Sequence, residues 1–356
     1  MWHDTGTGAW VIPAGLTVQP LGHLENAEGK RRIRNLLEVS GLIEHLVLLK
    51  PRAATEDEIL RLHTREYVDR IKRESANLGG DAGDLTPFGP GSYEIALLAV
   101  GGCITAVDAV LDGTVDNVYA LVRPPGHHAE RDTGRGFCIF ANVALAALHA
   151  REVRGMSRIA IVDWDVHHGN GTEHAFYDDP SVLTISIHQD NNYPPQSGAI
   201  TDTGSGSGEG FNINVPLPAG SGVGAYVETF ERVVAPALRS FRPELIFVAS
   251  GLDASAMDPL ASMMMTSDGY RKLTQVMLGV AREVCDGRLV VCHEGGYSPA
   301  YVPCCGLAIV EELSGRRTDV ADPLLGLLAS FGGQDLQPHQ DAVIREAMKL
   351  AAAVHN

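Results

Sequence analysis

RIAIVDWDVHHGNGT, residues Arg158–Thr172, combines a strand signal with a dense cluster of polar residues. Its start, Ile159–Val162, is apolar at every position, as in strands that are buried on both faces of a parallel sheet. Strand side chains alternate in direction, so Asp163, Asp165 and His167 would share one face where this strand ends. Ligands of open α/β sheets bind at the carboxyl ends of strands. The segment therefore predicts both a parallel sheet and a site at its edge.

Similar apolar runs alternate with helical patterns along the rest of the chain. We therefore expect an α/β fold, with a mostly parallel central sheet covered by helices on both faces. The absence of a linker-like run or a repeat favours a single domain over residues 1–356. The predicted strands are His45–Lys50, Val118–Val122, Arg158–Asp163, Leu183–His188, Leu245–Ser250 and Leu289–His293. The predicted helices are Ala27–Val39, Tyr67–Glu74, Tyr93–Leu111, Asn142–Glu152, Gly224–Ser240 and Gly269–Cys285.

The composition is that of a globular protein, with 45% hydrophobic and 20% charged residues. The formal net charge of −16 disfavours nucleic-acid binding and weakly attracts cationic substrates such as lysine peptides or polyamines. Lys30, Arg31, Arg32 and Arg34 have helical spacing, which is typical of a solvated helix face.

The six cysteines fall mostly in apolar runs without a CxxC pair, which predicts reduced thiols in a cytoplasmic protein. The residues that follow Met1 lack a signal-peptide pattern. No uninterrupted apolar run approaches about 18 residues, so we expect no membrane span.

The strand end at Asp163–His167 has the composition of a metal site. Burying Asp163, Asp165 and His167 is costly unless a cation satisfies them, and Asp with neutral His suits zinc or another divalent first-row ion. Alternatively, the carboxylates only cap the next helix. Asp253, just beyond the Leu245–Ser250 strand, is the natural third ligand, although a lone Asp there is more often a helix N-cap. Three ligands would leave one position open for catalysis.

Two further strand ends carry candidate catalytic residues. In YALVRPPGHHA, Tyr119–Ala129, a rigid turn precedes His127 and His128, which we interpret as general acid/base groups. Asp163 and Asn170 are the available partners to orient them.

In LVVCHEGGY, Leu289–Tyr297, Gly295 and Gly296 allow a sharp turn that presents the Tyr297 hydroxyl. A hydroxyl donor opposite a metal stabilises a developing oxyanion.

The segments RPPGHHA, DWDVHHGNGT, SGLDASAMDPL and HEGGY resemble, in order and spacing, the four signature segments of the histone-deacetylase superfamily. The likeness is greatest to bacterial class-II-like histone-deacetylase-like amidohydrolases and extends from about Gly22 to about Thr318. It implies the arginase/deacetylase fold. It also implies one Zn²⁺ on Asp165, His167 and Asp253, with His127 and His128 paired to Asp163 and Asn170, and with Tyr297 as the transition-state tyrosine.

The resemblance further implies a structural K⁺ and a substrate channel. The potassium would be held by backbone atoms of Asp163, Asp165 and His167 together with Ser186 and Ile187. The channel would be formed by Gly136, Phe137, Tyr193, Leu260, Gly295 and Gly296, with Asp84 on a rim loop that grips the substrate backbone.

The class-II likeness rests partly on Asn170, where class-I members tend to have Asp. The sequence departs from its relatives at two points. Tyr193 stands where relatives usually have Phe, so the channel wall carries an extra hydroxyl. Relatives normally have a strand before the segment that corresponds to Asp4–Gly8, and the sequence leaves open whether that edge strand is absent here.

These features predict a zinc-dependent hydrolase of acyl-amine amide bonds, acting on N-acetyl-lysine or another small acylated amine through metal-activated water. An acetylpolyamine amidohydrolase is the main alternative. A two-manganese ureohydrolase of the same fold would need an Asp-x-His-x-Asp run, where this chain has Asp163-x-Asp165-x-His167. A non-catalytic acyl-amine binder would be expected to lack a ligand or Tyr297, and neither is missing. The resemblance also suggests a homo-oligomer, a dimer or a tetramer.

Overall fold

The computed structural model of the protein describes residues 10–12, 16–18 and 23–354, so Asp4–Gly8 lies outside the described residues. The strands are β1 Trp10–Ile12, β2 Leu16–Val18, β3 Gly80–Asp81, β4 Gly83–Asp84, β5 Pro87–Phe88, β6 Asn117–Ala120, β7 Gly134–Arg135, β8 Ile159–Asp163, β9 Val182–Gln189, β10 Asn212–Leu217, β11 Leu245–Ser250 and β12 Leu289–His293. The α-helices are α1 Glu28–Val39, α2 Glu56–Ile59, α3 Arg65–Ser75, α4 Ser92–Leu111, α5 Asn142–Glu152, α6 Asn170–Phe176, α7 Val223–Thr229, α8 Ala235–Phe241, α9 Ser267–Cys285, α10 Val302–Ser314, α11 Leu325–Ala329 and α12 Pro338–Ala353.

Six parallel strands form the central sheet in the order β10-β9-β8-β11-β12-β6. The inner pair, β8 and β11, runs in register from Ile159 opposite Leu245 to Asp163 opposite Ala249. The β8 strand is buried along its whole length, as its uninterrupted apolar sequence requires. The predicted α/β class is therefore confirmed.

Each face of this sheet carries its own hydrophobic core. Along β8, Ala160 and Val162 point into one core, and Ile159 and Ile161 point into the other. Helices α1, α8, α9, α10 and α12 contribute to the first core, and α3, α4 and α5 to the second. Helices thus cover both faces, as the alternation of strand and helix patterns predicted.

Helix α4 has the length and composition of a membrane span. It is the one helix in residues 23–354 that passes this test, and 56% of its most apolar window is buried inside the protein. Its buried residues, which include Val100, Ile104 and Val107, pack in the second core. In this structure it is a core helix.

The predicted strand His45–Lys50 is wrong. Leu42–His45 forms a 3₁₀ helix, and the residues after it are irregular. Val47 and Leu48 are 63% and 59% exposed, and a groove of about 840 Å³ separates this segment from β6. The β-branched and apolar composition is not sufficient here, because a strand also needs a neighbouring backbone at about 4.8 Å to bond with.

Two other elements differ from expectation. The edge strand β10 was not predicted, because Asn212, Asn214 and Pro216 give it a weak strand signal. The predicted helix Gly224–Ser240 is interrupted by a π-helical turn at Phe230–Val234.

Candidate metal centre and active site

Four neighbouring strands of the sheet supply the site residues from their carboxyl ends. These strands are β8, β11, β12 and β6, and the loops that follow them carry the predicted polar side chains. The sequence predicted this convergence because parallel strands end at the same edge.

Asp165, His167 and Asp253 form a buried cluster with the geometry of a metal site. Their potential ligand atoms all lie within 4.8 Å of one another. Nδ1 of His167 lies 3.0 Å from Oδ1 of Asp165 and 3.2 Å from Oδ2 of Asp253. Tetrahedral zinc with bonds of 2.0–2.2 Å holds its ligand atoms about 3.3–3.6 Å apart, so these atoms would need to move apart by only a few tenths of an ångström to share a zinc ion. Oδ2 of Asp253 is buried and forms no well-aligned hydrogen bond in the described part of the chain, and its near neighbour is Nδ1 of His167, another candidate ligand atom.

The charges of this cluster favour a cation. Burial and the neighbouring charge of Asp165 raise the pKa of Asp253 to about 6. Burial opposes the ionised form of Asp165 as well, but the nearby histidines outweigh burial and lower the pKa of that carboxyl. A divalent ion would satisfy both carboxylates at once.

Backbone hydrogen bonds hold these carboxylates in place. Asp253 Oδ1 accepts from Val166 N–H at 2.9 Å, and Asp165 accepts from His167 N–H at 2.9 Å through Oδ1 and from Gly295 N–H at 2.8 Å through Oδ2. The carboxylates do not cap a following helix. The N-cap of α6 is Gly169, without a side-chain bond, and that of α9 is Thr266. The alternative capping interpretation is therefore wrong.

The tandem histidines lie beside the cluster, each with the predicted partner. Nδ1 of His127 lies 2.9 Å from Oδ2 of Asp163, and Nδ1 of His128 lies 2.8 Å from Oδ1 of Asn170. Nε2 of His127 is 3.7 Å from Oδ2 of Asp165. The two imidazole centroids are 3.9 Å apart.

The environment separates the pKa values of the two histidines. Burial alone would lower the pKa of His127, but the charges of Asp165 and Asp163 outweigh it and raise this pKa to about 10. Burial, and next the positive charge of His127, lower the pKa of His128 well below its usual value. His127 is therefore the charged member of the pair, and His128 is the neutral one that can accept a proton.

Tyr297 faces the cluster from the loop after β12. Its ring centroid lies 6.3 Å from that of His167, and its side chain is 7% exposed. Gly296, with φ of +124°, provides the turn that precedes it. Burial raises the pKa of Tyr297 well above its usual value, so the hydroxyl stays protonated and can donate.

Two carboxylates that the sequence analysis passed over support this arrangement. Asp258 accepts from Tyr297 N–H at 2.7 Å and from Leu260 N–H at 2.9 Å. Glu294 accepts from Gly126 N–H at 2.5 Å and from His127 N–H at 3.1 Å. Both stand inside quoted motifs, and the signal that could have found them is an acidic residue next to a site residue at a strand end.

Two of the predicted channel residues, Phe137 and Tyr193, contact residues of this site. The ring of Phe137 packs edge-on against Tyr297 with centroids 5.6 Å apart, and the ring of Tyr193 packs against His128 at 5.0 Å. Leu260 is tied to the Tyr193 loop, because its carbonyl accepts from the Asn192 amide at 3.2 Å.

The residues expected to hold potassium lie in two paired strands and the loop after one of them. Asp163 pairs with Ser186 across β8 and β9, and Ile187 follows in β9. The Ser186 hydroxyl lies 2.9 Å from Nδ1 of His188.

His127, Cys138 and Glu294 form a second group close enough to share an ion. Cys138 is buried, and its thiol lies 3.5 Å from the carbonyl of Gly136. A thiol is a poor ligand for Mn²⁺, which prefers carboxylate, carbonyl and water oxygens. This group therefore gives no support to a two-manganese centre.

Comparison with known proteins shows which proteins this chain is similar to. The model of the histone deacetylase domain family matches residues 23–313. A histone deacetylase-like amidohydrolase of Pseudomonas aeruginosa is 51% identical over 327 residues, which cover 91% of this chain and 86% of that protein. The polyamine deacetylase HDAC10 of Mus musculus is 38% identical over 303 residues, which cover 82% of this chain and 44% of that protein. A crystal structure of the HDA15 HD domain superposes with a TM-score of 0.85 at 32% identity, covering 97% of this chain and 92% of that one.

Proposed function

The chain belongs to the histone deacetylase family and is an enzyme of the deacetylase and amidohydrolase type, and we propose that it hydrolyses acyl-amine amide bonds with a single zinc ion. The observation that carries the proposal is the buried Asp165–His167–Asp253 cluster, in which Oδ2 of Asp253 forms no well-aligned hydrogen bond in the described residues. Three protein ligands leave one position for chemistry.

The surrounding side chains can perform the proton transfers. When bound, zinc supplies Lewis-acid polarisation of the amide carbonyl and lowers the pKa of water towards about 7. His128, buried and neutral, takes the proton of the attacking water and later returns a proton to the leaving amine. Asn170 orients its ring through Nδ1.

His127 and Tyr297 complete this mechanism. His127 keeps its proton beside Asp163 and contributes positive charge to the site. Tyr297 donates its hydroxyl hydrogen to the oxyanion that forms when the amide carbonyl is attacked.

The proposed substrate is an acyl-lysine or another small acylated amine with a slender stem. The aromatic rings of Phe137 and Tyr193 support this, because they pack against Tyr297 and His128 beside the site. An acetylated polyamine is the second candidate, favoured by the net charge of −16 and by the likeness to a polyamine deacetylase.

We also propose that residues 1–356 act as one catalytic domain with a structural K⁺ near Ser186, in a reducing cytoplasmic environment. The six free cysteines, five of them buried, support the last point. The acidic net charge supports a protein that binds neither nucleic acid nor membrane. A dimer or tetramer is proposed on the family resemblance alone.

A fluorogenic acetyl-lysine amide tests the proposal. Zinc-loaded protein is expected to release the fluorophore, to lose this activity with a chelator and to regain it when zinc is added. Turnover that resists complete removal of zinc would contradict the metal assignment. Comparing acetyl-lysine peptides, acetylputrescine and longer acyl-lysines then identifies the preferred amine and acyl group.

A further inference from the structure

Tyr193 and Asp84 form a hydrogen bond at the outer end of the predicted substrate channel. The Tyr193 hydroxyl donates to Oδ2 of Asp84 at 2.9 Å. A phenylalanine at position 193 could not make this bond, because it has no hydroxyl. We propose that Tyr193 is a specificity-determining positioning residue, which holds Asp84 so that its other oxygen accepts an N–H from the part of the substrate outside the channel. This inference rests on the proposed amidohydrolase function.

The direction of the Tyr193 ring is fixed from the inside of the site. The ring packs edge-on against His128 with centroids 5.0 Å apart, and against His167 with centroids 6.2 Å apart. It also lies against Gly136, where a Cβ atom would come within 2.7 Å of Cε1. These contacts restrict rotation of the Tyr193 ring. Its hydroxyl is therefore held next to Asp84.

Backbone contacts fix the main chain of Asp84, but they do not fix the orientation of its carboxylate. Strand β4 pairs with β7, and the carbonyl of Asp84 accepts from Gly136 N–H at 2.9 Å. The carboxylate is half exposed, and the nearest guanidinium nitrogen, on Arg135, is 3.8 Å away. The Tyr193 hydroxyl is thus the closest group that fixes the orientation of this carboxylate.

A carboxylate held through one oxygen offers the other to a donor. A phenolic hydroxyl keeps its hydrogen at neutral pH, so Tyr193 is the donor of this bond and the carboxylate of Asp84 is the acceptor. Suitable partners are the peptide N–H beside an acyl-lysine or the ammonium of an acylated polyamine. A simple N-alkylacetamide has no such donor beyond the bond that is cleaved.

The experiment compares kcat and KM of zinc-loaded wild type, Y193F, D84A and the double variant. The probes are an acetyl-lysine peptide, N-acetylputrescine and N-butylacetamide. We expect Y193F to raise the KM for donor-bearing probes, relative to that for N-butylacetamide, on the order of tenfold, with a smaller effect on kcat. In the D84A background Y193F is expected to add no further discrimination, because it acts through Asp84. A change confined to the peptide or to the polyamine identifies the source of the donor.

Tyr93→Phe is the matched control, because Tyr93 donates to Glu56 at 3.3 Å, away from the site. It is expected to leave the KM ratios unchanged. Equal effects of Y193F on all three probes, or effects of Y193F and D84A that multiply, would overturn the inference. If wild type hydrolyses none of the probes, the proposed function fails instead, and calorimetric binding of the same peptide to wild type and Y193F tests the Asp84 contact directly.

Discussion

Tyr297 lies on a loop whose backbone is held in place by Asp258, which accepts a hydrogen bond from Tyr297 N–H. Removing the Tyr297 hydroxyl therefore leaves the loop in place. Tyr297→Phe is expected to lower kcat by on the order of 10²–10³ with little change in KM, because the lost donor acts on the oxyanion of the transition state. Steady-state kinetics on the acetyl-lysine amide, with zinc content measured in parallel, tests this. Near-normal turnover by zinc-loaded Tyr297→Phe would remove Tyr297 from the mechanism.

His63 makes stability depend on pH. It is 2% exposed, and its Nε2 accepts from Ala141 N–H at 3.0 Å. Burial lowers its pKa from 6.5 to about 4. Between these values the unfolded chain binds a proton that the folded chain does not, so stability is lost as pH falls from 6.5 to 4, by about 2 kcal/mol at pH 5.

His63→Gln keeps an acceptor but cannot titrate. We expect its free energy of unfolding to fall less than that of wild type between pH 7.5 and pH 5, as measured by urea denaturation. Parallel pH dependences of the two proteins would show that His63 does not contribute.

The individual site residues could be predicted only where the local sequence pattern fixes the direction in which their side chains point. Asp165 and His167 follow a strand at alternate positions, so the sequence alone places them on one face. Asp258 and Glu294 act through hydrogen bonds to backbone N–H groups 39 and 167–168 residues away. Such contacts leave no periodic trace in a sequence.

Helix α4 packs so closely against a neighbouring backbone that a side chain at Gly101 would collide with it. A Cβ on Gly101 would lie 1.9 Å from the carbonyl oxygen of Arg52, a backbone atom that cannot move aside easily. Gly101→Ala is therefore expected to cost on the order of 1–3 kcal/mol of unfolding free energy. Chemical denaturation of the variant provides the measurement.

Gly279 provides the matched control, because it lies inside helix α9 with open space where a Cβ would be. Gly279→Ala is expected to stabilise the protein by up to about 1 kcal/mol through helix propensity. Equal effects of the two substitutions would contradict the close approach at Gly101.

Elements with a complete local signal were predicted best. Strands β11 and β12 and helix α5 have the predicted bounds. Segment His45–Lys50 has a similar apolar composition, but it has no neighbouring strand to pair with. Strand β10 has a weak strand signal in its sequence, yet it forms because it pairs with β9 at the edge of the sheet. The difference lies in tertiary pairing, which propensity does not contain.

The whole molecule is expected to gain stability from zinc. An ion that binds only the folded chain contributes about 4 kcal/mol when its free concentration is 1,000 times Kd. Thermal melts in zinc buffer and in chelator, with metal analysis, test this; one zinc per chain is expected. Asp253→Asn removes one ligand and is expected to lose most of the zinc-dependent shift. Two manganese ions per chain with urea release would instead support a ureohydrolase.

The loops with the proposed metal ligands follow β8 and β11, the two inner strands of the sheet, with two further strands on each outer side. Opening that begins at either border must cross two strands before it disturbs a ligand. In mild denaturant, amides of β10 are therefore expected to take up deuterium while the enzyme still turns over. Opening of β6 is expected to end turnover, because the loop after this edge strand carries His127 and His128. The ability to bind a metal ion is thus expected to outlast catalytic activity when the sheet opens from the β6 side.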